Sequence, residues 1–215
     1  MEIKAVVLDV DGVITKISSV WRYIHERLGT LEPAKVNAEK YKRGEIDYAE
    51  WARLDVALWK NTRIETIEEL IRSMPIRRGA NEFFKFLKLH ELVVIALSAG
   101  LNIVTDRLKE IFDIDYALAN KLVIKNGVIT GEVEAYVGYY DKGVILKEIC
   151  DKIGLKTDEC IAIGDSEVDI SMFEEARLGI AFNPKDRKTL EKADIVVYSH
   201  DLRSLIPVIK GFIKT

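Results

Sequence analysis

Only two cysteines, Cys150 and Cys160, occur in the 215 residues, and glutamine is absent. Two cysteines are too few for a disulfide framework, and their spacing does not match the CxxC pairs of zinc sites. We therefore expect both to be buried free thiols. The lack of glutamine, beside abundant Lys, Glu, Ile and Val, leans toward a heat-adapted protein.

The chain also has no block of Lys or Arg residues, and its net charge is -3. Extended nucleic acid is therefore not an expected partner. The longest apolar run, Leu92 to Leu97, is far too short to cross a bilayer, so no membrane association is expected. No cationic and apolar leader pattern opens the sequence, which favours a cytoplasmic protein. The sequence leaves open whether it is a monomer or a homodimer.

Short apolar runs alternate with segments of helical periodicity, a pattern typical of an α/β fold with a doubly wound parallel sheet. The first run is rich in Val and nearly unbroken, as in strands covered on both faces. The predicted strands are Ile3 to Leu8, Leu92 to Leu97, Cys160 to Ile163, Leu178 to Ala181 and Ile195 to Tyr198.

The stretch from Asp11 to about Met74 differs, because its apolar spacing is that of amphipathic helices. Asp47 with Glu50 resembles a capping box that opens one helix. We predict an inserted small helical cap at residues 15–75, and a core domain formed by residues 1–14 and 76–215. All three tryptophans fall in this cap, where packing between helices is favoured over a ligand surface: Trp21, Trp51 and Trp59.

Residues Leu122 to Glu134 carry the signal of a β-hairpin, with Asn126 and Gly127 at its turn. These two residue types adopt the positive φ angles that a tight primed turn requires. We expect this hairpin to lie outside the main sheet.

Polar side chains follow three of the predicted strands. Asp9 and Asp11 follow the first, Ser98 the second, and Asp165 with Asp169 a later one. Ligands of open parallel sheets bind beyond the carboxyl ends of the strands, so these side chains are expected to converge. Each motif alone can equally be a turn or a helix cap, but their shared position at strand ends favours a site.

Four carboxylates packed together repel one another and lose hydration unless a cation lies among them. Oxygen ligands without a nearby His or Cys favour Mg²⁺. The sequence therefore predicts a magnesium site formed by Asp9, Asp11, Asp165 and Asp169. His25, His90 and His200 have no carboxylate or Cys partner at ligand spacing, and we expect no role for them.

These motifs resemble the four motifs of the haloacid dehalogenase superfamily, at Asp9 to Gly12, Ser98, Lys142, and Gly164 to Asp169. The resemblance extends over nearly the whole chain. The segments Asp115 to Glu134 and Ile161 to Ala176 are similar to those of the phosphoserine phosphatase family.

The resemblance implies a magnesium-dependent phosphatase that hydrolyses a small phosphorylated metabolite. Asp9 would be the nucleophile that forms an aspartyl-phosphate, and Asp11 the general acid and base. Ser98 and Lys142 would bind the phosphoryl group, with backbone N–H groups at Gly12 and Ala99 and the neighbouring Gly100. Asp9, the Asp11 carbonyl and Asp165 would hold the metal. Asp169 would support the metal through water or orient Lys142.

The cap departs from the pattern of phosphoserine phosphatases. Ser18 and Asp55 stand where those enzymes have the Glu and Arg that recognise serine, and Val168 replaces an Asn. An Asp would repel a substrate carboxylate that Arg binds, so phosphoserine is not the expected substrate. Candidate contacts to the leaving group, each also open to a purely structural interpretation, are Trp21, Arg22, Arg53 and Asp55.

Two other interpretations remain open from the sequence. One is a phosphoserine phosphatase proper. The second is a regulatory module that binds phosphate and magnesium without turnover, although the complete set of motif residues favours an enzyme.

Overall fold

The computed structural model describes residues 2–213, and these form a seven-stranded sheet with helices on both faces. Each pair of neighbouring strands is parallel except β3 and β4, which are antiparallel. The strand order is β4-β3-β2-β1-β5-β6-β7. The predicted doubly wound α/β fold is thereby confirmed. The strands are β1 (Ala5–Leu8), β2 (Val93–Leu101), β3 (Tyr116–Lys125), β4 (Val128–Glu134), β5 (Cys160–Gly164), β6 (Leu178–Phe182) and β7 (Ile195–Val197).

Alternate residues of β1 face two apolar layers, as expected for a strand covered on both sides. Val6 and Leu8 belong to the larger layer, and Ala5 and Val7 to the smaller one, which also holds both free cysteines. The Cys150 and Cys160 Sγ atoms lie 3.5 Å apart. The helices are α1 (Val20–Leu28), α2 (Leu31–Lys42), α3 (Tyr48–Ala57), α4 (Ile64–Ser73), α5 (Ala80–Leu89), α6 (Asn102–Ile111), α7 (Lys142–Ile153), α8 (Ile170–Glu175), α9 (Arg187–Lys192) and α10 (Leu205–Lys210).

Helices α1 to α4 form the segment predicted as a cap, and local signals fix where two of them begin. The Asp47 side chain accepts a hydrogen bond from the Glu50 N–H at 2.8 Å at the start of α3. The Ser19 hydroxyl does the same for the Arg22 N–H at 3.4 Å at the start of α1. Such caps satisfy N–H groups that have no partner inside the helix.

A narrow neck joins this segment to the sheet. Thr15 and Ile76 form an isolated antiparallel bridge, flanked by hydrogen bonds from the Lys16 N–H to the Pro75 carbonyl and from the Arg77 N–H to the Ile14 carbonyl, both 2.9 Å. The division into residues 15–75 and a core of 1–14 with 76–215 stays a prediction.

The hairpin occurs as predicted, but its place in the fold differs. Asn126 and Gly127 both have positive φ angles, 52° and 76°. However, the first residues of β3, Tyr116 to Leu118, pair in parallel with β2, so this strand belongs to the main sheet. Strand β4 pairs with β3 and forms the edge of the same seven-stranded sheet, so the expectation that the hairpin lies outside the main sheet is wrong. The sequence pattern of the hairpin indicated the turn between β3 and β4, but it did not indicate that β3 also pairs with β2.

The tip of the hairpin contacts the cap segment. The Asn61 N–H donates to the Ile129 carbonyl and the Ile129 N–H to the Thr62 carbonyl, each at 2.9 Å. The Ile64 N–H donates to the Gly127 carbonyl at the same distance. The cap is therefore attached to the sheet at a second place besides the neck.

None of the helices within residues 2–213 is long and apolar enough to cross a membrane.

Candidate active site

The topology brings the predicted site residues together. Strand β1 lies between β2 and β5, and the chain runs outward from β1 in opposite directions on its two sides. The carboxyl ends of strands at such a reversal form the usual ligand site of open α/β sheets. Side-chain oxygens of Asp9, Asp165 and Asp169 all lie within 4.8 Å of one another, and all three residues are buried.

Lys142, the first residue of α7, is buried between two carboxylates. Its Nζ donates to Asp9 Oδ1 at 2.6 Å and to Asp169 Oδ1 at 2.7 Å. Burial alone would lower the pKa of Lys142, but the charges of Asp169 and Asp9 raise it above its ordinary value. Lys142 is thus a fixed cation beside Asp9.

Asp169 orients this lysine and the loop after β5. While its Oδ1 accepts from Lys142, its Oδ2 accepts from the N–H groups of Asp165 at 2.8 Å and Ser166 at 3.1 Å. Both oxygens therefore have protein partners, which supports the predicted role in fixing Lys142. A direct place for Asp169 among the metal ligands stays a prediction.

Asp11 joins the core to the cap. Its Oδ2 accepts a hydrogen bond of 2.6 Å from the N–H of Val20, the first residue of α1. Its Oδ1 is buried and has no hydrogen-bond partner within residues 2–213. Burial, with the nearby charge of Asp9, raises the pKa of Asp11 to about 7. A carboxyl group with this pKa can give and take a proton near neutral pH.

Burial also disfavours the ionised forms of Asp9 and Asp165. Burial raises the pKa of Asp9 to about 6 and that of Asp165 to about 8. Asp165 Oδ1 has no hydrogen-bond partner in the described part of the chain. Converging buried carboxylates with an unpartnered oxygen are what a hard divalent cation would stabilise, so these residues fit the predicted metal.

Gly12 and Gly100 leave room beside these acids. Gly12 has a φ angle of 89°, and a Cβ atom there would lie 1.7 Å from Asp165 Oδ2. A Cβ atom on Gly100 would lie 2.8 Å from the Val20 side chain. The Gly100 N–H donates to the buried Ser98 Oγ at 2.9 Å. Both positions therefore require glycine, because neighbouring side chains lie too close for a Cβ atom.

The Ala99 carbonyl accepts hydrogen bonds from both the core and the cap. Tyr48 Oη donates to it at 2.7 Å, and Trp21 Nε1 and Asn120 Nδ2 each donate at 3.0 Å. These bonds fix the backbone next to Ser98 and link it to helices α1 and α3.

A cavity of about 280 Å³ lies between the strand ends and the cap helices. Its volume suits a compact ligand. Residues from the core and from the cap contribute to its lining: Asp9, Asp11, Ser18, Ser19, Trp21, Tyr48, Trp51, Ala52, Asp55, Ser98, Ala99, Gly100, Tyr139, Lys142, Asp165, Ser166, Val168 and Lys185.

Residues 3–177 match the family model described as a haloacid dehalogenase-like hydrolase. The chain belongs to this family. It is 35% identical to the phosphoserine phosphatase of Methanocaldococcus jannaschii over 208 residues, which cover 96% of this chain and 98% of the relative. It is 32% identical to the phosphoserine phosphatase of Archaeoglobus fulgidus over 97% of this chain and 60% of that relative.

Solved structures agree with these relatives. A phospho-aspartyl intermediate analogue of a phosphoserine phosphatase superposes on this hydrolase with a TM-score of 0.83 and 33% identity, over the full length of both chains. A substrate-bound phosphoserine phosphatase complex gives the same values. The predicted family and the predicted enzyme class, a phosphoric monoester hydrolase, are confirmed.

The cap candidates of this hydrolase divide into two groups. Trp21 and Asp55 line the cavity, whereas Arg22 and Arg53 do not. The two arginines are exposed and pair within their own helices, Arg22 with Glu26 at 2.7 Å and Arg53 with Glu50 at 2.6 Å. Helical periodicity alone did not distinguish the cavity side of these helices from their solvent side.

The tryptophans also divide. Trp59 is fully buried, as the packing interpretation predicts. Trp21 and Trp51 line the cavity and also pack within the cap, Trp21 on Trp59 and Trp51 on Tyr41, so for these two the choice between packing and a ligand surface stays a prediction. Trp51 Nε1 is shielded from solvent and has no hydrogen-bond partner within residues 2–213.

Sequence reasoning missed several residues near the site of the hydrolase, and four of them form contacts with site residues. Lys185 Nζ lies 2.7 Å from Asp165 Oδ2, and it follows β6 just as the predicted site residues follow their strands. The same strand-end argument could have found it. Tyr48 and Asn120 do not follow the end of a strand, so that argument could not have identified them. His25 Nε2 lies 3.4 Å from Asp55 Oδ2, a contact between residues on two different helices.

Proposed function

We propose that this hydrolase cleaves a small phosphate monoester by transferring the phosphoryl group to Asp9. The observation that carries the proposal is the buried Lys142, which holds Asp9 Oδ1 at 2.6 Å in the cavity that Asp11 also lines. Lys142 favours the ionised, nucleophilic form of Asp9, while Asp11 has a pKa suited to proton transfer.

In the first step, a carboxylate oxygen of Asp9 attacks phosphorus and the bond from phosphorus to the ester oxygen breaks. Asp11 donates its proton to the departing alkoxide, which leaves as an alcohol. In the second step, water attacks the phosphorus of the aspartyl-phosphate and gives its proton to Asp11. The bond from phosphorus to Asp9 breaks, inorganic phosphate is released, and both carboxyl groups return to their first state.

The phosphoryl oxygens would be held by Lys142, by Ser98 Oγ and by backbone N–H groups at Gly12 and Ala99. The lack of a Cβ atom at Gly100 keeps the approach to Ser98 open, since a Cβ there would lie 3.0 Å from Ser98 Oγ. Fixed donors of this kind stabilise negative charge without reorganising during the reaction.

The metal we propose is Mg²⁺, held by Asp9, Asp165 and the Asp11 backbone carbonyl, with Asp169 in support. When bound, it would neutralise charge on the phosphate oxygens. The donor set consists of oxygen atoms, as this cation prefers.

The helical cap, residues 15–75, would close the cavity over the substrate and exclude bulk water. The neck at Thr15 and Ile76 supports this division from the core of 1–14 and 76–215. A cytoplasmic location and a monomeric or homodimeric state stay predictions.

The alternatives are not favoured. A silent binding module would not require Asp11, yet its buried carboxyl is in place. Phosphoserine itself would bring its carboxylate toward a cavity whose cap wall contains the Asp55 carboxylate and the small hydroxyl of Ser18, and which Val168 also lines.

The test is hydrolysis of p-nitrophenyl phosphate by the purified protein with and without Mg²⁺, beside an Asp9→Asn variant. We expect metal-dependent release of p-nitrophenol, and a loss of at least about 10⁴-fold in kcat for the variant, since the nucleophile is removed. Asp113→Asn, which removes an exposed carboxylate with one long contact to Lys88, is the matched control. Equal rates for Asp9→Asn and the control would exclude Asp9 as the nucleophile.

A further inference from the structure

The cap wall of the cavity contains one carboxylate, that of Asp55 on α3. Asp55 is buried with 4% of its surface exposed, and it lines the cavity. Asn37 Nδ2 on α2 donates to its Oδ1 at 2.8 Å, and His25 Nε2 on α1 lies 3.4 Å from its Oδ2. His25 Nε2 makes no hydrogen bond in this contact, so among the hydrogen bonds within residues 2–213 the Asn37 amide is the donor that holds the Asp55 carboxylate.

The hydrogen bonds of His25 fix which of its nitrogens carries the proton. Trp59 Nε1, which can only donate, donates to His25 Nδ1 at 3.0 Å. Thr30 Oγ1 lies 2.7 Å from the same nitrogen and can donate as well. Nδ1 is therefore an acceptor without a proton, and the ring is neutral with its proton on Nε2, toward Asp55. A doubly protonated ring would point a proton at the Trp59 donor.

Asp55 consequently faces neutral partners. No Lys or Arg within residues 2–213 forms an ion pair with it, and the neutral His25 and the Asn37 amide supply no charge. A buried carboxylate without a cation is costly, and its charge remains available to a ligand. This differs from the core side of the same cavity, where Asp9 and Asp165 each contact a lysine.

Aromatic rings line the same cavity, Trp21, Tyr48 and Trp51 from the cap and Tyr139 from the core. Tyr48, Trp51 and Asp55 follow one another on α3 at intervals of three and four residues, which places them along one face of that helix. Trp21 stacks on Trp59 at 5.6 Å between ring centres, and Trp51 stacks on Tyr41 at 4.7 Å. These rings are supported from behind, and they present apolar, electron-rich surface to a ligand. A carboxylate among aromatic rings is the usual environment for an organic cation.

We propose that the leaving group of the substrate carries a positively charged amine, which binds between the Asp55 carboxylate and the aromatic rings of the cap. The substrate would be the phosphate monoester of a compact amino alcohol, with its phosphate at Asp9 and its ammonium group at the cap wall. This inference rests on the proposed phosphatase function and adds the substrate class to it.

The experiment compares kcat/KM of the Mg²⁺-loaded protein for three esters of similar size. O-phosphoethanolamine carries an ammonium group, 2-hydroxyethyl phosphate a neutral hydroxyl, and phosphoglycolate a carboxylate. One charged contact is worth about ten-fold in affinity, so the amine ester should be preferred by at least about ten-fold over the neutral ester. Phosphoglycolate should be the poorest of the three.

An Asp55→Asn variant should reduce the ratio between the amine ester and the neutral ester to about two-fold or less. The matched control is Glu32→Gln, which removes an exposed cap carboxylate paired with Lys35 and should keep the wild-type ratio. If Asp55→Asn does not fold, as judged by its melting curve, the test is the kcat/KM ratio of the wild-type protein: a preference of at least about ten-fold for the amine ester supports the proposal, and a ratio near one overturns it.

The possible results distinguish a failure of the proposed amine specificity from a failure of the proposed phosphatase activity. Hydrolysis of p-nitrophenyl phosphate together with a ratio near one for the wild-type protein would overturn the inference and leave the phosphatase intact. A ten-fold preference that Asp55→Asn retains would also overturn it, because the selectivity would then arise elsewhere. Failure to hydrolyse any ester would remove the proposed function itself.

Discussion

The two walls of the cavity are built by different means. On the core wall, charged side chains at strand ends and helix starts pair with one another, as Lys142 does with Asp9 and Asp169. On the cap wall, aromatic rings and one carboxylate without a cation project from packed helices. The difference indicates that sheet topology determines where the chemistry lies, whereas helix packing determines what the cavity accepts.

The largest effect is expected on the core wall, for Lys142→Met. Removing this cation leaves Asp9 and Asp169 buried and uncompensated, which should lower the free energy of unfolding by about 3–5 kcal/mol. Turnover of p-nitrophenyl phosphate should also be lost. Urea denaturation and steady-state kinetics measure the two effects.

Lys147→Met on the same helix is the control, because Lys147 is exposed. It should change the unfolding free energy by no more than about 0.5 kcal/mol. Similar losses for both variants would mean that the paired charges of the core wall contribute little, and the contrast between the walls would disappear.

A smaller effect is expected where the backbone touches the acids, for Gly12→Ala. The added Cβ would displace Asp165, and we expect a loss of at least about 100-fold in kcat/KM. Gly44→Ala is the matched control, because Gly44 also has a positive φ angle, 70°, but nothing lies within 4 Å of the added Cβ atom. It should cost only about 1 kcal/mol of stability, from strain in the left-handed region, and retain activity. Full activity of Gly12→Ala would show that the core wall is less closely fitted than described.

The smallest effect is expected for Tyr48→Phe, at the junction of the two walls. The variant removes one of three donors to the Ala99 carbonyl, which should cost about 1 kcal/mol and raise KM about five-fold. Tyr23→Phe removes a hydroxyl that bonds within the cap, to the Leu70 carbonyl and Ser73 Oγ, and should cost similar stability without changing KM. An equal change in KM for both would show that the effect comes from the cap as a whole.

The core wall could be predicted from the sequence because its signals are local. A buried strand followed at once by Asp9 fixes both the element and the end at which the side chain lies. Ser98 was expected just after its strand but lies inside β2, directly after the last residues that pair regularly with β1 and β3. The loop holding Asp165 was equally clear. Lys185 follows β6 but was not recognised, because no motif marked it.

The cap wall could be predicted only in part. Its helices and the Asp47 cap followed from periodicity and local hydrogen bonding. The contact between His25 and Asp55 depends instead on how α1 packs against α3, and helix packing angles are not encoded in local spacing. For the same reason, the sequence did not distinguish Trp21 at the cavity from Trp59 in the core.

The hairpin tip has a mechanical consequence for the cap. The cap segment is attached at the neck near Thr15 and, through three backbone hydrogen bonds, at the β3–β4 turn. The cap's other contacts at the cavity include single hydrogen bonds, from the Val20 N–H to Asp11 and from Trp21 and Tyr48 to the Ala99 carbonyl. Substrate entry that breaks these bonds but keeps both backbone attachments would follow a rocking motion about the line that joins the neck and the hairpin turn.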